Sequence, residues 1–167
     1  MTEYVLDRDR TRIGFVAAHR VGGKVRGHFP AVEGALHIDT ADPTASTAWL
    51  TVETSSVNTG NPRRDNQLRQ DFFGTPTYPA MTFVATTITQ TAPGSFDVTG
   101  NLTIRGTTHP LTVPLSVTDT GDELHFKASQ TINRHTWQAN WNAFTTALIH
   151  PNVELDLSLT AKRHPPT

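Results

Sequence analysis

Eight histidines, at positions 19, 28, 37, 109, 125, 135, 150 and 164, are the side chains best suited to proton transfer or metal binding near neutral pH. None stands at i, i+2 or i, i+4 from another, so no strand or helix would present two of them to one ion. His37 and His125 alternate with apolar residues and fall on the wet face of their segments, where a surface role is the ordinary one. His19 differs. It follows Ile13, Phe15 and Ala17 on one face and points inward, either as a satisfied core histidine or as a polar handle inside a cavity. Two further groups carry chemistry. Arg63-Arg64-Asp65 and Asn133-Arg134-His135-Thr136-Trp137 each hold an arginine able to pair bidentately with a phosphate or carboxylate. Spacing alone favours structural ion pairs there, worth under about 1 kcal/mol when exposed. The chain has no G-x-S-x-G elbow, no H-E-x-x-H, no P-loop and no dinucleotide fingerprint. It also has no cysteine, which excludes disulfides, thiol catalysis and thiolate metal sites.

These residues must be positioned by strands. Val153, Leu155, Leu157, Leu159 and Ala161 alternate with polar residues, as do Leu124, Phe126, Ala128 and Ile132, and Leu111, Val113, Leu115 and Val117. Further segments are predicted at 4–6, 13–19, 24–29, 32–38, 48–53, 81–88 and 96–104. Strands wet on one face belong to antiparallel sheet, and eight or more in a small domain form a closed barrel or a sandwich. Pro114 lies mid-strand, where its missing donor demands an edge or a bulge. One segment departs from the alternation. Asn61-Pro62 begins a short helix of about ten residues that closes on Gly74, with Leu68 and Phe72 on one face and an Asp65–Arg69 ion pair on its surface. A second helical turn is expected near Trp137 to Trp141.

Length and charge narrow the class. The 167 residues fit one domain, spanning 1–167, and bury a core without staples. Only 17% are charged, and about one residue in six is threonine, a type at home on pleated, half-buried strands. A formal net charge of -1 supplies no field to draw nucleic acid. No run of about twenty apolar residues would span a membrane as a helix. The first residues show no basic stretch followed by an apolar one, so a cytoplasmic location is expected unless a leader has been removed.

The apolar faces mix sizes. Phe15, Phe29, Phe83, Phe96 and Phe126 share them with Ala17, Gly27, Ala85, Gly100 and Ala128. Such alternation either fills a tapering barrel or leaves a channel, and eight strands lie at the boundary between the two.

A larger set of residues is recognisable as a pattern. Thr11-Arg12-Ile13-Gly14-Phe15 to His19, then Val25-Arg26-Gly27-His28-Phe29 and Gly34, resemble the start of the YceI-like family. Thr59-Gly60, Arg64-Asp65, Leu68, Asp71-Phe72-Phe73, Tyr78-Pro79 and Phe83 follow in the family's order. Val98-Thr99-Gly100-Asn101-Leu102-Thr103-Ile104-Arg105-Gly106-Thr107-Thr108 and Ile132-Asn133-Arg134 resemble its later elements. The likeness runs from about Tyr4 to Leu159. The pair His-Ser frequent before the family's first long strand is Thr11-Arg12 here.

The resemblance implies an all-β fold: an extended, eight-stranded, antiparallel, lipocalin-like barrel with one short helix covering part of it. It also implies a hydrophobic channel for a long amphiphilic lipid, a polyisoprenoid or isoprenoid quinone, which the protein would bind, sequester or transport. Phe15, Ala17, Phe83, Ala85 and Phe126 are then expected along the channel, with Phe72 and Phe73 helping to close it. His19, Arg64, Arg134 and Trp137 are the candidates nearer the head group. No catalytic residue, metal or cofactor is expected beyond the bound lipid. Two rivals stand beside this reading. One is an enzyme on an apolar substrate with His19 as general base. The other is a self-packed barrel acting in protein interaction, a homodimer included, through an exposed Trp49 patch.

Overall fold

Alternating apolar residues produce strands at ten places in the computed structural model, which describes residues 2–19, 23–39, 41–137 and 149–164. The strands are β1 (Thr2–Leu6), β2 (Arg12–His19), β3 (Lys24–Phe29), β4 (Val32–Ile38) and β5 (Thr47–Glu53). They continue with β6 (Ala80–Ala92), β7 (Ser95–Ile104), β8 (Thr107–Asp119), β9 (Glu123–Asn133) and β10 (Ile149–Arg163). All pairings are antiparallel, in the order β1-β4-β5-β6-β7-β8-β9-β10, and β1 pairs back onto β10 to close the ring. Closure leaves a ring of eight. The other two strands extend this wall, because β2 also pairs with β10 and β3 with β2.

Strands β1 and β2 occupy the same edge of β10 in tandem. Leu6 pairs with Ala161, and Arg12 with Ser158. Between them the chain steps aside in a 3-10 turn, Arg8–Arg10, capped by the Asp7 carboxylate on the Asp9 N–H. The edge stays continuous because Asp7 N donates to Thr160 O at 2.8 Å and Thr160 N to Thr11 Oγ1 at 3.3 Å. Pro30, which has no N–H to donate, sits at the matching break between β3 and β4. The expected eight-stranded barrel is therefore present, with two of its positions each made of two strands.

The mixture of large and small residues has a direct cause. A Cβ placed on Gly27 would lie 2.5 Å from Phe15 Cζ, and one on Gly100 would lie 2.6 Å from Phe83 Cζ. The tip of each ring lies against a glycine on the neighbouring strand, where a larger residue would collide. Phe15, Phe29 and Phe73 form a run of rings, with 5.5 Å between successive centroids. Phe29 and Phe73 belong to a core cluster with Leu6, Val32, Phe126 and Ala161, and a smaller cluster gathers Ile104, Ile132 and Trp137.

Pro114 fits its surroundings. β8 pairs with β7 along its length but with β9 only over Ser116–Asp119, so Pro114 lies on a stretch with no ladder toward β9. The helix expected at 61–74 is present as α1 (Pro62–Gln67), continued by a π-helical turn over Leu68–Phe72. Asn61 caps it, its side chain accepting from Arg64 N at 3.2 Å. The buried Thr54 hydroxyl donates to Tyr78 O at 3.0 Å, tying together the two ends of this insertion between β5 and β6. The Asp65–Arg69 ion pair does not form. Arg69 donates instead to Ser55 O and Asn66 Oδ1, at 2.8 and 2.7 Å, while Asp65 turns inward. A 3-10 turn covers Arg134–Trp137, and the helical turn expected from Trp137 to Trp141 lies, beyond Trp137, outside the described residues.

Candidate functional site

The barrel encloses a cavity of about 620 Å³ whose wall is almost wholly apolar, a size typical of small-molecule sites. Phe15 and Ala17 from β2, Phe83 from β6 and Phe126 from β9 all border it. Phe73 borders it from beyond α1. Among the described residues, Arg64 and Arg134 bring positive charge to its wall. The interior is thus not self-packed.

Two of the remaining sequence candidates, Ala85 and Trp137, fall elsewhere. Ala85 pairs with Gly100 in the wall and does not border the cavity, since a bulge follows it and the ring of Phe83 covers that stretch. Trp137 is only 3% exposed and also lies off the cavity. Its Nε1 donates to Leu102 O at 2.8 Å, and its ring meets His109 edge-on at 6.0 Å, so it fastens the Arg134–Trp137 turn to β7 and β8. His19 ends β2, with its backbone opposite Ile149; its side chain and that of Phe72 lie outside the described residues.

Arg64 is half-buried and held by one residue that sequence reasoning gave no role, Thr59. Arg64 Nε donates to Thr59 Oγ1 at 2.8 Å and Nη2 to Thr59 O at 2.9 Å. Thr59 in turn donates its N–H to Asp65 Oδ1 at 2.9 Å, and its hydroxyl to the same oxygen. Asp65 is buried, and these bonds satisfy a carboxylate that would otherwise be costly. The available signal was the Thr59-Gly60 pair itself: Gly60 has φ +79°, and this turn feeds the helix start. Arg134 is 2% exposed and opens the turn that follows β9. Nearby on β3, burial pushes the His28 imidazole pKa down; the Arg12 charge adds to this and Asp65 opposes it.

Among the described residues no group of three or more His, Asp or Glu could hold a metal ion. No helix among them is long and apolar enough to cross a membrane.

The chain is 35% identical over 169 residues to a UPF0312 protein of Staphylococcus epidermidis, covering 95% of this chain and 96% of that one. A UPF0312 protein of Shewanella baltica is 35% identical over 114 residues, 66% of this chain; the match spans 60% of the Shewanella protein's length. Among solved structures, Burkholderia cenocepacia BcnA superposes with a TM-score of 0.87 at 24% identity, over 94% of this chain and 99% of that one. A polyisoprenoid binding domain from Saccharophagus degradans, implicated in plant cell wall breakdown, gives a TM-score of 0.80 at 20% identity, over 96% and 98%. At these identities the two structures show a shared fold. A YceI-like domain matches residues 4–161, nearly the whole chain, and the protein belongs to the YceI-like family.

Proposed function

We propose that this barrel binds and shelters a long amphiphilic lipid of the polyisoprenoid or isoprenoid quinone type, without catalysing a reaction on it. The observation that carries the reading is the apolar cavity of about 620 Å³ with two arginines on its wall. Burial of an isoprenoid chain there is worth about 0.8 kcal/mol per methylene-sized unit, less the cost of ordering the chain. Many such units give firm retention with few polar contacts. The Saccharophagus domain of the same fold, named for polyisoprenoid binding, supports a ligand of this class. Carriage between partners follows if the lipid can leave the barrel as well as enter it.

The test is mass spectrometry of an organic extract from gently purified protein, beside an unrelated barrel from the same host. A stoichiometric isoprenoid enriched over that control supports the reading and names the lipid. An empty extract together with failure of added prenyl lipids to bind overturns it. A homodimer would place its contact on the outward row formed by Val5, Ala35, Trp49 and Val84, where Trp49 is 45% and Val84 51% exposed. Sedimentation over a range of concentrations tests that association.

A further inference from the structure

The ring of eight is laddered unevenly. Between β8 and β9 the pairing joins only Ser116–Asp119 to Leu124–Lys127. Yet β8 is paired with β7 from Thr107 to Ser116, and β9 with β10 from Glu123 to Asn133. In antiparallel sheet, backbone groups of alternate residues face alternate neighbouring strands. The carbonyl of Thr112 faces β9, because it accepts from Gln130 Nε2 at 3.0 Å. Pro110 and Pro114 flank Thr112 at the next alternate positions, so their nitrogens face β9 as well, and neither has a hydrogen to donate. The ladder therefore stops. Trp137 rests against His109 at one end of the gap. Between there and Ser116, the Gln130 amide is the hydrogen bond that crosses from β9 to β8 among the described residues. Where β6 outruns β5, by contrast, the 3-10 turn Pro43–Ala45 packs against it.

This seam lies along the cavity. Leu111, Val113 and Leu115 of β8 border the cavity, as do Gln130 and Ile132 of β9. Both ends of the barrel carry charge. Arg64 and Arg134 border the cavity beyond the ends of β5 and β9, and Asp39 and Asp119 border it where β4 and β8 finish. An apolar tail drawn through either end passes groups that hold water. One crossing the seam meets aliphatic side chains and a neutral amide. Parting the strands there gives up one hydrogen bond, whereas parting a laddered pair strands a row of backbone groups.

Resting on the carrier reading, we propose that the tail of the bound lipid enters and leaves through the seam between β8 and β9, with Gln130 as the positioning residue that latches it. The chain has no cysteine, so Pro114→Cys with Ser129→Cys, which continues the Ser116–Lys127 register, can lock the seam with a single disulfide. Thr131→Cys with Glu154→Cys bridges β9 to β10 across an existing ladder and is the control. Each protein is loaded with tritiated geranylgeraniol, and release to excess methyl-β-cyclodextrin is timed with the bridge formed and with it reduced. The seam bridge is expected to slow release about tenfold, reversibly, and the control bridge to change it less than about twofold. Pro114→Thr, which returns a donor toward β9, is expected to slow release about threefold, and Gln130→Ala to hasten it by a similar factor. Equal rates with the seam bridge formed and reduced overturn the port and leave the carrier reading standing. Equal slowing by the two bridges does the same. If the seam bridge does not close and neither single variant moves the rate, the port is likewise overturned. Failure of geranylgeraniol to bind the wild type overturns both readings.

Discussion

Arg64 and Asp65 are adjacent in sequence and opposite in charge, yet they meet only through Thr59, which accepts from the guanidinium and donates to the carboxylate. The threonine hydroxyl works in both directions, as a hydroxyl can. It leaves the arginine facing the cavity and the aspartate buried beside the helix.

Removing that hydroxyl is expected to be costly. Thr59→Val keeps the shape but strips one bond from the buried Asp65 and one from Arg64, a loss of about 1–3 kcal/mol. Thr59→Ser keeps the hydroxyl and should stay within about 1 kcal/mol of the wild type. Urea denaturation of both variants measures the difference.

The fit of Phe15 against Gly27 makes a coupled pair. Gly27→Ala puts a methyl 2.5 Å from Phe15 Cζ and 2.9 Å from Thr59 Cγ2. Overpacking of this kind costs about 1–3 kcal/mol. Adding Phe15→Leu should recover part of the loss, so the double variant would be more stable than the sum of the singles implies. Additive effects in the cycle would show that the ring does not rest on the glycine.

Alternation along β6 predicts opposite outcomes for neighbours. Phe83 borders the cavity, whereas Val84 is half exposed on the outer face. Phe83→Glu should abolish retention of a prenyl lipid, because a charge in the lumen must be desolvated. Val84→Glu should leave retention unchanged. Lipid recovered per mole of folded protein is the readout, and similar retention by the two variants would count against this placement.

Two pH effects have definite signs. The Asp7 carboxyl is held below its usual value, first by the hydrogen bond from Lys162 and then by that from Arg10, against the opposing effect of burial. A depressed carboxylate stabilises the fold above its unfolded pKa, and the contribution is lost as pH falls through the lowered value. Asp7→Asn should therefore flatten the acid side of a plot of Tm against pH.

His28 works at higher pH. Its folded pKa lies below the usual 6.5, so the unfolded chain binds more protons in the interval between the two values. Stability should rise with pH across that interval and level off above it. His28→Gln should remove this slope, measured as Tm from about pH 5 to pH 7.5.

The ten strands and the start of the helix are local facts, and the sequence by itself determined them. Period-two alternation in Val153 to Ala161 marks β10 without reference to any partner, and Asn61-Pro62 marks the cap of α1. The large and small residues were equally visible, but whether they filled the barrel or left it open was not. That depended on contacts between different strands, such as Phe15 against Gly27 and Phe83 against Gly100. Tertiary structure also decided that β1 and β2 share one edge of β10, making a ring of eight from ten strands. It placed Trp137 in the wall, because its indole N–H is satisfied by Leu102, 35 residues earlier. The Asp65–Arg69 pairing was reasonable on helix spacing alone. It lost to Thr59, since a buried carboxylate gains more from two donors beside it than from one cation across solvent. Spacing within a segment encodes its backbone, whereas the partner of a polar group is chosen among residues that only folding brings together.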